Sequence, residues 1–255
     1  MDWGKEQLVR IRINLANRTL TAGFVAIATT ASVGLLWCQE PKSIQPVRVA
    51  VVTGGHQYET SFDSLFEGSQ DISGTVLPRD IAFARNLRTR FDVLVFYDLT
   101  DKIQEREQKN FQDFVDSGKG VLVMHHAIAS YWNSWPWYQE LTGARYFLKP
   151  EGNTPASKPA LGQQVLAKPV GKHPITAGLE AFQLEDETYK GWTISPGAKV
   201  LLETDNPNSE RPLAWISPYQ KSRVVVILLG HDRKAHLHPA FRALVRNAML
   251  WLAGR

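Results

Sequence analysis

The chain contains a single cysteine, Cys38. One cysteine excludes an internal disulfide framework, a cysteine-built zinc site and a thioredoxin-type redox pair. No stretch interleaves Lys and Arg with aromatic residues; the net charge is +4, and beyond residue 40 the positive residues are scattered. Nucleic acid is therefore not an expected partner. A dinucleotide fingerprint is missing as well, since Gly54-Gly55 has no third glycine and no acidic residue ends a following strand at the right distance. No two histidines stand at the i, i+4 spacing of a helical metal site. What remains is an ordinary globular composition of 255 residues, 44% hydrophobic with eight tryptophans. That suffices for one α/β domain of generous size, or a domain with an appended segment.

Long hydrophobic runs are scarce, and the longest is near the start. Leu20 to Trp37 is about 18 uncharged residues, preceded by Lys5, Arg10, Arg12 and Arg18. Basic region followed by apolar region is the order of a signal peptide or signal anchor, so residues 1–38 are expected to export the rest and, if uncleaved, to hold it at a membrane. A lipoprotein signal would need a small residue before Cys38, where Trp37 stands, and the bland alternative is a buried helix of the domain. Residues 39–46, with Pro41 and Pro46, read as a linker. The folded domain is then 47–255.

Gly118-Lys119-Gly120-Val121-Leu122-Val123-Met124-His125-His126-Ala127 is the stretch that organises this domain. Its apolar run suits a strand buried on both faces, and ligands of parallel sheets sit where such strands end. Val47–Val52 and Asp92–Asp98 read as further buried strands. Ser61–Glu67 and Gln104–Ser117 read as helices with inward-facing Phe62, Leu65 and Phe66, and Phe111, Phe114 and Val115. Gly118 stops the second. Residues 150–160 read as a surface loop, and 163–170, 199–203, 213–216 and 223–229 as strands. Pro239 opens a terminal helix striped with Phe241, Leu244, Val245 and Ala248. Strands alternating with helices predict a parallel sheet with helices on both faces.

At the strand ends and in one loop the pattern gathers imidazoles and carboxylates: His56 with Glu59, His125 with His126, and His231 with Asp232. Asp186 and Glu187 form a carboxylate pair between them in sequence. Groups at the ends of neighbouring strands converge however far apart they are in the chain, and these are the groups that exchange protons near neutral pH. Adjacent residues of a strand face opposite ways, so only one of His125 and His126 can enter a given pocket unless the chain has already turned. His173 and His238, each beside a proline, read as structural. The Trp132–Tyr138 aromatics suit a packed, lid-like segment better than a sugar-stacking platform. A divalent ion, zinc or manganese, is compatible with donors drawn from His56, His125, His231 and Glu187.

Seven motifs in order carry a family resemblance: Thr53-Gly54-Gly55-His56-x-Tyr58-Glu59; Gly120-Val121-Leu122-Val123-Met124-His125; Leu141-Thr142-Gly143; His173-Pro174-Ile175-Thr176-x-Gly178-Leu179; Asp186-Glu187-x-Tyr189; Pro212-Leu213-Ala214-Trp215; and Gly230-His231-Asp232 with His238-Pro239-Ala240-Phe241-Arg242. Residues 47–255 thus resemble the trehalose-utilisation (ThuA-like) family. The resemblance implies a flavodoxin-like fold of the class I glutamine amidotransferase-like superfamily and a link to trehalose-type disaccharides or their 3-keto derivatives. In amidotransferases of that superfamily the central strand ends on a nucleophilic cysteine. Here it ends on His125, and Cys38 lies outside the domain, so amidotransfer is excluded and acid–base chemistry is expected in its place. His126 stands where the family more often has a small residue.

These readings together predict an exported enzyme that cleaves a trehalose-type or 3-keto disaccharide or glycoside by hydrolysis or elimination. His125 and His231 are the expected proton carriers. Asp232 or Glu187 would orient a histidine or act as a second acid–base group. His56, Tyr58, Glu59, His126 and Asp186 would contact the small-molecule carbohydrate. The alternative is a non-catalytic, membrane-anchored carbohydrate-binding or sensory domain.

Overall fold

Five apolar residues in succession leave no polar face, and Gly120–Met124 finds burial on both sides at the centre of a nine-stranded sheet. The structure, a computed structural model, describes residues 45–132 and 134–255. Its strands are β1 (Val47–Gly54), β2 (Ile72–Pro78), β3 (Val93–Asp98), β4 (Gly120–Met124), β5 (Ala144–Arg145), β6 (Lys158–Pro169), β7 (Phe182–Lys190), β8 (Thr193–Ile194), β9 (Lys199–Glu203), β10 (Pro212–Ile216) and β11 (Val224–Ile227). The α-helices are α1 (Arg79–Ala82), α2 (Glu105–Asp116), α3 (Pro136–Thr142), α4 (Arg233–His236) and α5 (Pro239–Leu252).

The sheet order is β2-β1-β3-β4-β11-β10-β9-β6-β7, with β5 and β8 paired separately. From β2 to β11 every pairing is parallel. The apolar residues of this half alternate between two cores. Val49, Val51, Val95, Leu122 and Met124 pack with Phe241, Leu244 and Val245 of α5. Val52, Leu94, Phe96, Val121 and Val123 pack with Phe111, Phe114 and Val115 of α2. Burial of each such side chain contributes roughly 1.5–3 kcal/mol. Helix α2 is closed at its start by reciprocal bonds between Gln104 and Glu107, a capping box.

The expectation of a wholly parallel sheet needs correction. Strands β10, β9, β6 and β7 all pair antiparallel. The reason is connection length: the short loops 204–211 and 217–223 can return the chain only to an antiparallel neighbour, whereas a parallel one needs a long crossover. Three smaller readings change too. The helix expected at Ser61–Glu67 is a 3-10 turn, Thr60–Leu65. Strand β2 gave no signal because it is an edge strand in which only Ile72 is buried. The stretch read as loop at 150–160 already enters β6 at Lys158. The signal-or-anchor segment 1–38 and most of the linker lie outside the described residues. Among the described residues no helix is long and apolar enough to cross a membrane.

Hairpin β6–β7 is what brings the far edge of the sheet to its centre. Strand β6 pairs with β9 only through Lys168 and Pro169, whereas its pairing with β7 runs from Lys158 to Ala167. Freed from β9, the hairpin swings over the carboxyl ends of β4 and β11, and residues 186–189 meet the imidazoles there.

Candidate active site

At the end of β4 the chain turns at once. His125 has φ 54°, a left-handed backbone that is uncommon for a side chain bearing a Cβ, and residues His125–Ala129 form a 3-10 turn. The turn lifts the strand rule that would have separated the two histidines, and their rings lie edge to face with centroids 5.0 Å apart. The parallel register aligns Met124 with Ile227, so the chain leaving β11 delivers His231 beside His125.

His125 is buried. Its Nδ1 lies 3.1 Å from the Leu228 carbonyl, a pure acceptor, so that nitrogen carries a proton, and in the neutral ring Nε2 presents a lone pair. Nε2 faces His231 Nδ1 at 3.1 Å and Glu187 Oε2 at 3.1 Å, and Glu187 Oε2 lies 3.4 Å from His231 Nδ1. The Tyr189 hydroxyl donates to Glu187 Oε2 at 2.9 Å. Its distances to the two His125 nitrogens are 3.2 and 3.1 Å, so it stands over the ring and lies along neither in-plane lone pair. Burial by itself would raise the Glu187 carboxyl, but a hydrogen bond from the protonated His125 ring with its charge, and the hydrogen bond from Tyr189, outweigh it and hold Glu187 below the usual carboxylate range. Burial, reinforced by Glu187, pushes the Tyr189 phenol well up and keeps it a neutral donor. His231 is about one-third exposed, so the cluster opens to solvent on its side.

A second layer fixes the peptide that carries His231. Asp186 is buried and accepts three backbone N–H groups: Gly230 at 2.7 Å, His231 at 3.0 Å and Glu187 at 2.8 Å. The Gly230 carbonyl accepts from the Tyr97 hydroxyl at 2.9 Å and faces His236 Nε2 at 3.0 Å. That carbonyl makes Nε2 the protonated nitrogen of His236, so its Nδ1 accepts from the Ser61 hydroxyl at 2.7 Å. Burial lowers His236 to about 4, so the ring is neutral near pH 7. Asp186 is raised by burial, against the pull of His125 and the three N–H donors.

The remaining expected residues divide. His126 is buried against the exposed His56, the rings stacked 4.5 Å apart, and lies 4.7 Å from the Tyr97 ring. Burial, with repulsion from His125, His56 and His231, pushes His126 down to about 2. His56 and His126 thus adjoin the cluster without joining its hydrogen bonds. Tyr58 donates to Asp63 at 2.6 Å and packs near Tyr97. Glu59 precedes the 3-10 turn and lines a cavity of about 340 Å³ with Ser61 and Arg233. Asp232 caps α4 by accepting from Lys234 N at 2.8 Å. Asp186 serves the backbone, which leaves it no free acceptor facing solvent. Of the four suggested metal donors, His125, Glu187 and His231 come together, their ligand atoms within 4.8 Å of one another; His56 does not join them.

Sequence reasoning missed Tyr189, Tyr97 and His236 as members of this site. Tyr189 had a signal, because two residues after Glu187 on one strand means the same face. Tyr97 and His236 had none, since their partners come from elements remote in the chain.

Comparison with known proteins now bears on this fold and site. The sequence pattern of the ThuA family, described as trehalose utilisation, matches residues 48–252. The chain belongs to the ThuA family. No curated protein matches significantly. Among solved structures, a ThuA-like protein of Parabacteroides merdae is 16% identical, with TM-score 0.69 over 82% of this chain and 90% of its own. A ThuA-like protein of Bacteroides uniformis is 17% identical, with TM-score 0.59 over 85% and 94%. A cytoplasmic protein of Salmonella typhimurium is 15% identical, with TM-score 0.56 over 80% and 98%. At such identities the likeness is one of fold, and the ThuA chemistry of this chain has to be argued from its own residues.

Proposed function

We propose that this ThuA-family chain is an enzyme that cleaves an oxidised disaccharide or glycoside of the trehalose type by acid–base chemistry at His125, His231, Glu187 and Tyr189. One observation carries the reading: two imidazoles, a carboxylate and a phenol converge within 3.4 Å contacts at the carboxyl end of the central strands. The family description supports a sugar as the substrate class. A 3-keto group acidifies the neighbouring C2–H. Removal of that proton by a base lets the electron pair form the C1–C2 double bond while the C1–O bond breaks, and an acid returns a proton to the departing oxygen. His125 and His231 are the proton carriers, and Glu187 is the second acid–base group. His56, Tyr58, Glu59 and His126 bind sugar hydroxyls. The run Leu20–Trp37 supports export, with membrane attachment if it stays uncleaved.

The test is incubation of the purified chain with a panel of 3-keto and ordinary disaccharides, followed by product analysis. Release of the aglycone sugar from a 3-keto substrate, lost in His231→Gln, is the expected result. Calorimetric sugar binding with no product after prolonged incubation would replace the enzyme by a binding domain.

A further inference from the structure

Three atoms of the cluster, each of a type that ligates metal ions, lie within one ion's reach of one another. The Leu228 carbonyl fixes a proton of His125 on Nδ1, which in the neutral ring leaves Nε2 an acceptor. It faces Glu187 Oε2, a carboxylate oxygen that also only accepts and already takes the Tyr189 hydroxyl. The third corner, His231 Nδ1, lies 3.1 Å from the first and 3.4 Å from the second. With both imidazoles neutral, one proton can bridge one edge of this triangle and leaves acceptors opposed along another. A single cation at its centre would satisfy all three.

The dimensions agree. Donors held about 2.1 Å from one ion stand about 3.0 Å apart at right angles and about 3.4 Å apart at tetrahedral angles. The sides here are 3.1, 3.1 and 3.4 Å. The surroundings agree as well. The Nδ1–H of His125 is tied to a carbonyl and Glu187 is tied to Tyr189, the outer hydrogen bonds that orient metal ligands and raise their basicity. The His231 backbone is anchored through Asp186. His125 and Glu187 are largely buried while His231 is part-exposed, so an ion would enter from one side and keep coordination positions open there.

We infer that His125 Nε2, Glu187 Oε2 and His231 Nδ1 form a three-ligand site for a divalent first-row transition ion, with its open positions facing solvent. Two imidazoles and one carboxylate suit zinc, manganese or iron better than calcium or magnesium. With the ion in place His125, His231 and Glu187 are ligands and give up the proton-carrying roles they have in the metal-free reaction above, and Tyr189 is the group left to carry a proton. On the sugar reading above, on which this last step alone rests, the open positions would take the keto oxygen and an adjacent hydroxyl of the substrate, and the ion would draw electron density from the carbonyl.

The test uses the full chain, stripped with a chelator and titrated with cobalt(II) and zinc(II) without any sugar. The expected result is one ion per chain, visible cobalt absorption of a nitrogen–oxygen site, and a higher melting temperature with zinc. Affinity should fall by about 100-fold or more in His231→Gln and in Glu187→Gln, and stay unchanged in His173→Ala. Circular dichroism checks that the variants fold, and the wild-type titration needs no variant. Absence of saturable binding below about a millimolar ion, or wild-type affinity in either ligand variant, would overturn the site. The two readings fail separately: an ion bound with no sugar turned over removes only the enzyme, and full turnover by the metal-stripped chain removes only the ion's part in the reaction.

Discussion

Asp186→Asn tests whether the site depends on a carboxylate that touches no substrate. Aspartate offers two oxygens to three N–H donors, at 2.7, 2.8 and 3.0 Å. Asparagine offers one. Its oxygen can keep His231 and Glu187, but its amide then meets the Gly230 N–H donor to donor. Loss of a hydrogen bond to a charged acceptor costs about 1.5–3 kcal/mol, and a buried N–H left unpaired costs about 1–3 kcal/mol. Removing a buried charge whose pKa burial has raised returns part of that. The net expectation is a loss of about 2–4 kcal/mol. Urea unfolding followed by tryptophan fluorescence measures it, as a lower midpoint at unchanged slope. Turnover should also fall by more than the lost folded fraction explains, because the His231 peptide is no longer held. A change below about 0.5 kcal/mol with full turnover would refute the clamp.

Tyr189→Phe keeps the ring and removes the donor to Glu187; turnover should drop by about 10²-fold while stability moves by about 1 kcal/mol, compared by steady-state rates and urea midpoints. Asp98 is fully buried, and burial raises it to about 7 against the pull of Arg79 and Tyr131. An acid raised on folding stabilises the fold below its unfolded pKa and loses that contribution as pH rises through the folded one. Wild-type stability should therefore fall between about pH 4 and pH 7 relative to Asp98→Asn, by up to about 4 kcal/mol, in paired denaturation curves. Gly55 has φ +64° and its Cβ would lie 1.8 Å from the Leu99 carbonyl oxygen. Gly55→Ala should displace the loop bearing His56 and lower stability by about 2–4 kcal/mol, read as a shift in melting temperature.

How much of this could be read from the residues depends on where each signal is written. The unbroken apolar run of Gly120–Met124 states its own environment, because only the interior of a sheet hides both faces of a strand. The stripes of α2 and α5 likewise state which side faces inward, and Pro239 and Gly118 mark ends through local backbone geometry. Strand β2 says little, since an edge strand with one buried residue carries no alternation. The antiparallel half was implicit in the shortness of loops 204–211 and 217–223, which the repeated strand–helix order overshadowed.

Chemistry followed the same division. Residue types and their places at strand ends pointed to His125 and His231, because any parallel sheet collects its strand ends on one side. Whether a given carboxylate serves a proton, a helix or the backbone is not a property of its neighbours in sequence. Asp232 caps α4, Asp186 holds three N–H groups, and Glu187 enters the cluster, though all three read alike as acids beside a turn or strand end. That choice was made by the β6–β7 hairpin leaving β9 and folding over the sheet, which set one face of β7 toward the imidazoles and the other toward the peptide of Gly230. The sequence determined the sheet's buried strands and the histidines at their ends, through hydrophobic patterning that acts locally. Only the tertiary structure decided the partners of those histidines, because their contacts join residues dozens to more than a hundred positions apart in the chain.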